Sequence, residues 1–383
     1  MRRLTLFFLS LAFGCGAAPP VTGSPRASVR EALQAWSQLD AERAARLGED
    51  AFIATGDRDA AEVSARAHLA LGRWDAAETA TRGAEDETLL RLRARAQIAR
   101  GDHAMAAETL SPLVERPEPD PWAASVRPAL LASPGYEVRG TGSQLPLRPL
   151  ALPVVEVEVD AVQTLALVGT GVHLSVLDPA VRRQPGAIDE LQIGELRVAH
   201  VPHTVRDLGA VSEALGVRIG MVLGADLLMR LGAILDGPAG TLTLSDAPPA
   251  PTPASAPLLS LTGSFLAVAA TRGESRAWFT LDTSGLFPIA VSPSGGEALG
   301  LVESDWSNAT DGPEMALVDL TLGTLPAEGI PVVRGLLAPR YAEAIGAPVS
   351  GSIGWLLLSQ LQLRFDRSSR TLFFGDAAPS SAD

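Results

Sequence analysis

The chain has 383 residues, more than one ordinary domain holds, so two or three domains are expected. Its hydrophobic fraction of 46% is enough to build real cores, and no internal stretch is long and apolar enough to cross a bilayer. With 44 acidic against 31 basic residues the formal net charge is −13, which argues against nucleic-acid binding, since that needs phosphate-neutralising cations on a face.

Met1-Arg2-Arg3 is positively charged and Leu4–Phe13 is a short apolar run, so residues 1–15 read as a targeting segment rather than as fold. The run ends in Ala12-Phe13-Gly14-Cys15, and Cys15 is the only cysteine, which excludes an internal disulfide. This ending resembles a bacterial lipoprotein signal, which implies that Cys15 becomes the lipidated first residue and anchors the protein in the cell envelope. Plain secretion, with cleavage in the Gly16-Ala17-Ala18 region, is the other reading, and export is common to both. Residues 16–25, rich in Ala, Pro, Gly and Ser, are expected to form a flexible tether.

Residues 26–132 are rich in Ala, Leu, Arg and Glu and are expected to be helical. A phrase recurs there: Gly56-Asp57-Arg58-Asp59-Ala60-Ala61-Glu62, then Gly72-Arg73-Trp74-Asp75-Ala76-Ala77-Glu78, and more loosely Gly101 to Glu108. Gly ends one helix, a polar or aromatic pair turns the chain, and small Ala residues let the next helix approach closely. The phrase resembles helix-hairpin repeats of the tetratricopeptide type, which implies a possible protein partner on this segment. A helical bundle without a ligand fits the same residues.

From Leu145 the pattern changes. Val154-Val155-Glu156-Val157-Glu158-Val159 alternates with period two, and strands and turns then run to Gly375. Ala247–Pro257, with five Pro in eleven residues, reads as an extended linker roughly 30 Å long that separates lobes at 145–246 and 258–376. The lobes repeat each other. Leu191–Leu196 aligns with Leu320–Leu325 at an offset of 129, and Val222–Leu228 with Ser352–Leu358 at an offset of 130. The second lobe holds about 16 extra residues around Glu297–Pro313.

Within that repeat, Leu167-Val168-Gly169-Thr170-Gly171 occupies the place of Phe279-Thr280-Leu281-Asp282-Thr283-Ser284-Gly285. Two apolar residues followed by Asp-Thr-Gly, and later Leu223-Gly224 or Ile353-Gly354 before a short helix, resemble the retropepsin-like aspartic proteases of bacteria. The resemblance covers about 230 residues. It implies an α+β multidomain chain: N-terminal α-helical hairpin repeats followed by two mainly-β acid-protease lobes of retropepsin or pepsin type, packed about a twofold axis. It further implies a catalytic centre at the paired turns, with Asp282 as the surviving acid and Gly169 at the position of the lost one. Thr170 and Thr283 would hold the turns together through their hydroxyls. Gly171, Ser284, Gly285, Gly224 and Gly354 would shape the binding cleft. The family's covering hairpins would by position be Gln192–Val205 and Asp319–Val333.

Aspartic proteolysis needs two carboxylates about 3 Å apart sharing one proton. Gly169 can neither hold a proton nor polarise water, and Asp160 and Asp178 are expected to face solvent rather than replace it. The expected function is therefore binding of a peptide or protein ligand in the cleft of a degenerate protease. The alternative is an active endopeptidase using Asp282, with two chains pairing their second lobes. No cofactor and no metal are expected: His200-Val201-Pro202-His203 has no Glu or Cys at ligand spacing and reads as the polar tip of a hairpin.

Overall fold

The computed structural model describes residues 25–307, 313–338 and 340–375. Cys15 and the leader lie outside the described residues. Seven helices come first: α1 (Pro25–Ser37), α2 (Ala41–Thr55), α3 (Arg58–Ala70), α4 (Trp74–Ala80), α5 (Glu87–Arg100), α6 (His103–Val114) and α7 (Pro121–Ala132). The Gly56-Asp57 pair acts as a stop and a start signal. Gly56 and Gly101 end α2 and α5 at φ of 65° and 99°, a left-handed backbone that only Gly adopts without strain. Asp57 then caps α3 by accepting from the amides of Asp59 (2.8 Å) and Ala60 (3.2 Å), and Asp86 does the same for α5. Close helix approach is real at Gly48, where a Cβ would lie 2.9 Å from the Ser64 amide nitrogen.

Each half of the β region closes a six-stranded barrel with the same strand order. In the first lobe the order is 154–159, 162–168, 219–223, 175–177, 196–205, 186–193, and the last strand returns to the first. In the second lobe it is 265–272, 275–282, 351–354, 289–291, 325–334, 314–322, again closed. The parallel pairs also match: 162–168 with 219–223 against 275–282 with 351–354. Buried rows such as Ile188, Leu191 and Ile193 fill the first barrel, and Phe279, Leu281 and Ile353 fill the second. The class expected from sequence, helices followed by two mainly-β lobes, is the class observed.

Several expectations about the lobes need correction. The lobes expected at 145–246 and 258–376 are not separate at their C-terminal hairpins. They meet in a shared six-stranded sheet, with 234–236 paired to 362–366 so that Ile234 faces its repeat-equivalent Arg364. The Pro-rich stretch is also not a free spacer throughout, because Ala254–Pro257 is an edge strand of that sheet, paired with Thr371–Phe374. Its Pro257 sits at the strand end, where a missing N–H costs no ladder bond. In addition, the hairpin 186–205 is a barrel wall rather than a cover over a cleft. Its tip, Gly194-Glu195, is held at the shared sheet, where the Glu195 amide donates to Ser143 Oγ at 3.1 Å. The matching tip in the second lobe is tied by Thr324 to Ser255. His200 and His203 accordingly stand in the strand 196–205, not at a tip, and His203 is buried.

The helical segment is docked on both lobes. Trp36 and Leu39 pack with Trp278, Leu259 and Ile345 of the second lobe, while Leu174 of the first enters the cluster of α5, α6 and α7. Arg367 and Arg370, on the last hairpin, donate to Ala99 O (2.8 Å) and Ala70 O (3.3 Å) at the C-terminal ends of α5 and α3. Cations at those ends meet the negative pole of the helix. Ser133 Oγ donates to His200 O at 2.5 Å, and the Tyr136 hydroxyl donates to Asp226.

Asp226 carries the main pH liability of this junction. Burial pushes its carboxyl up to about 7, against amide hydrogen bonds and the Arg230 charge, which pull it down. Between the unfolded value of 3.8 and about 7 the folded state holds a proton that the unfolded state has lost, so this group's contribution to stability falls as pH rises through that window. Urea unfolding of the parent and of Asp226→Asn at pH 4 and pH 8 should show the parent losing on the order of 2–4 kcal/mol relative to the variant. Equal pH dependence in the two proteins would contradict this assignment.

Candidate functional site

The two glycine-bearing turns follow directly on the strands 162–168 and 275–282, which run parallel to the strands leading to Gly224 and Gly354. They meet on the axis between the lobes. Thr170 Oγ1 donates to Leu281 O at 2.9 Å and accepts from the Thr283 amide at 3.1 Å. Thr283 Oγ1 donates to Val168 O and accepts from the Thr170 amide at 3.0 Å. The pattern is the same from either side, and both threonines are fully buried. These are four hydrogen bonds between residues more than a hundred positions apart.

Asp282 stands on the second turn and is half-buried. Its Oδ1 accepts from the Ser284 amide at 3.0 Å and from the Ser284 hydroxyl. Ser284, where the resemblance calls for Gly, thus serves as a second donor to the acid. Gly171 of the opposite turn lies against the same carboxylate: a Cβ there would be 2.9 Å from Asp282 Oδ1. The single acid therefore faces the first turn across the axis. Gly285 lies under the Phe287 ring, which a Cβ would meet at 2.4 Å. Gly224 and Gly354 stand where the strands parallel to those of the turns end. Their missing side chains admit backbone, since a Cβ would lie 2.4 Å from His173 O at one and 2.2 Å from Phe287 O at the other. They shape the turns from behind.

Position 169 shows more than a missing carboxylate. A Cβ on Gly169 would lie 2.4 Å from Val222 Cγ1 and 3.3 Å from Val172 Cγ2. Val222 is the repeat-equivalent of Ser352, which leaves room beside Asp282 in the second lobe. The difference extends outward. Behind Asp282 lie Thr280, Ser352 and Tyr341, with Thr280 Oγ1 at 2.6 Å from the Tyr341 hydroxyl and Ser352 Oγ donating to Thr280 O at 3.4 Å. Their equivalents in the first lobe are Leu167, Val222 and Val211, all apolar. Burial pushes the Tyr341 hydroxyl up and the Asp282 charge adds to this, while the Thr280 and Ser352 hydrogen bonds pull it down. The second lobe thus keeps a polar half-site and the first has an apolar one. This polar trio was not singled out from the sequence, although comparing the repeats column by column contains the signal.

No other acid stands in for residue 169. Asp160 binds Arg182 and accepts from the Glu190 amide, and Asp178 accepts from the amides of Ala180 and Leu208. Both are occupied in turns of the first lobe instead of facing solvent freely. Among the described residues no three His, Cys, Asp or Glu side chains gather in a metal-binding group.

No protein-family model and no curated protein matches the chain. Among solved structures it is similar to an aspartic proteinase from Irpex lacteus, at 13% identity and a TM-score of 0.42, over 63% of this chain and 99% of that one. It is also similar to a retropepsin-like aspartic protease from Rickettsia conorii, at 17% identity and a TM-score of 0.21, over 29% of this chain and 81% of that one.

Two outcomes follow from the geometry. Thr170→Val keeps the shape but strands the Thr283 amide and Leu281 O in a dry interface, so chemical denaturation should show a loss of about 2–4 kcal/mol, and Thr283→Val a similar one. Gly169→Asp should cost about 1–3 kcal/mol through its collision with Val222, whose χ1 is stiff in a strand. Adding Val222→Ser should recover most of that loss. A neutral Gly169→Asp would show that the space beside residue 169 is open.

Proposed function

We propose that this protein is a degenerate aspartic-protease-like binder, which holds an extended peptide or protein segment between its lobes without cleaving it. The reading is carried by one observation: the threonine grip between the two turns is complete, while the space for the first carboxylate holds Val222. Hydrolysis needs one carboxylate to take a proton from water while its partner gives one to the substrate carbonyl. Asp282 alone can perform either half but not both in the same step. When one member of such a unit is lost, nearly all of the rate can go with it.

Asp282 can still accept a hydrogen bond from a peptide amide or pair with an amine. Leu286, four residues on from Asp282, and Leu356, two on from Gly354, are 48% and 50% exposed, which favours a ligand with apolar side chains. Pairing second lobes of two chains to restore a dyad would require Thr283 to release Thr170 and expose both buried hydroxyls. That cost disfavours the active homodimer. Lipidation at Cys15 would place the binder in the bacterial cell envelope, and the helical segment is available for a protein partner.

The test exposes a peptide library to the full chain and to its Asp282→Asn variant between about pH 3 and 7, scoring cleavage and retention. Retention without cleavage is expected, with the variant retaining peptides at least about tenfold more weakly, as for one charge-assisted hydrogen bond. Cleavage by the parent that disappears in the variant would overturn the reading.

A further inference from the structure

A cavity of about 50 Å³ lies where the helical segment meets both lobes, and its lining includes Tyr136, Asp226, Arg230, Ser260, Arg367 and Arg370. That volume exceeds the roughly 10–15 Å³ that a single water requires. Three guanidiniums converge on it. Arg230 stacks over the Tyr136 ring at 4.6 Å, and Arg370 lies 5.5 Å from the Trp74 ring. Arg367 and Arg370 each spend one N–H on a helix C-terminal carbonyl, out of five donors per guanidinium. The Nε of Arg370 is shut off from solvent and has no partner among the described residues.

The charges are poorly balanced. No carboxylate among the described residues compensates Arg367 or Arg370: apart from burial, what lowers Arg367 is Arg230, and what lowers Arg370, to about 10, is Arg367. Only Arg230 has an acid nearby, Asp226, and Oδ1 of that acid is likewise enclosed and unpartnered. A half-buried row of like charges with spare donors is costly unless an acceptor sits among them. The repeat shows that this feature is specific to one lobe. The second lobe's closing turn reads Asp366-Arg367-Ser368-Ser369-Arg370, whereas the first lobe's equivalent, Asp236-Gly237-Pro238-Ala239-Gly240, has no cation.

We propose that this cavity is a binding site for a small tetrahedral oxyanion, held by Arg230, Arg367 and Arg370. The anion ties the helical segment to both lobes at once, since Arg230 belongs to the first lobe, Arg367 and Arg370 to the second, and Trp74 and Ala99 to the helices. His173, two residues beyond Gly171, lines the same cavity, so the anion would lie beside the loop that follows the first turn.

Anion binding is coupled to protonation of Asp226. The groups facing that carboxyl are the Tyr136 hydroxyl, with His103 edge-on to its ring at 5.5 Å, together with His173, Arg230, Arg367 and Arg370. His173 is held neutral, pushed down to about 3 by burial and then by Arg95 and His103. Burial together with Arg230 also holds His103 below its ordinary value. Asp226 is therefore the group whose charge changes near pH 7, and an ionised Asp226 repels the anion.

Sulfate is the suitable probe, since its own charge is constant in this range. Calorimetric titration of the full chain, with chloride at matched ionic strength as control, should show saturable sulfate binding that weakens about tenfold from pH 6 to pH 8. Arg230→Gln and Arg370→Gln should each weaken it at least about tenfold, and Arg148→Gln, on a distant exposed surface, should not. Asp226→Asn should bind with the parent's pH 6 affinity at both pH values. Sulfate behaving like chloride would overturn the proposal, as would arginine variants that bind like the parent. Should those variants fail to fold, Asp226→Asn decides: loss of the pH dependence supports the site, and an unchanged tenfold dependence overturns it.

Discussion

The buried exchange of hydrogen bonds between Thr170 and Thr283 is the constraint on which the rest of this molecule depends. Each threonine satisfies the backbone of the opposite turn, so neither lobe can complete its own turn without the other. A dry site with all donors and acceptors paired is rigid, and opening it strands several groups at once. The shared sheet, in which the closing hairpins pair across the same axis, is the second fastening. Between these two fastenings the relative placement of the lobes is set.

Within that frame the lobes have diverged in a coordinated way. Gly169, where the other lobe has Asp282, is accompanied by Val222 where that lobe has Ser352, by Leu167 where it has Thr280, and by Val211 where it has Tyr341. Substituting the acid alone would have left hydroxyls in an apolar wall without partners, which is costly. Replacing the whole set yields a continuous apolar half-site. The second lobe retains its set, with Ser284 adding a hydroxyl to the one acid. The grip and the barrels therefore frame one polar and one apolar half-site, the arrangement on which the proposed binding role rests.

The helical segment adds to that frame. Its docking combines apolar packing around Trp278 and Leu174 with arginines placed at helix C-termini, and the half-buried Arg230, Arg367 and Arg370 line the junction. A segment that contacts both lobes resists any change in the angle between them. His173, on the loop that follows the first turn, lines the cavity at that junction.

Much of this was legible in the residues. The period-two alternation of Val154–Val159, the offsets between lobes and the paired turns lead to two β lobes, because strand period and turn chemistry are local properties. The Gly-Asp helix boundaries are local as well, since a left-handed Gly and an Asp cap act within a few residues of themselves. The roles of Thr170 and Thr283 followed from the resemblance. Other features depended on tertiary placement. Ala254–Pro257 became a strand because an edge at Thr371–Phe374 was free to pair with it. Gln192–Val205 became a barrel wall because its tip is anchored at Ser143. Asp160 and Asp178 were drawn into turns by partners 22 to 30 residues away. The exclusion of a side chain at 169 by Val222, and the row of arginines at the junction, exist only where distant segments come together. The sequence by itself determined that only one of the paired turns carries a carboxylate, because an absent side chain is absent in any fold; the tertiary structure decided that the space beside Gly169 is filled by Val222, because close packing is a property of neighbours in space.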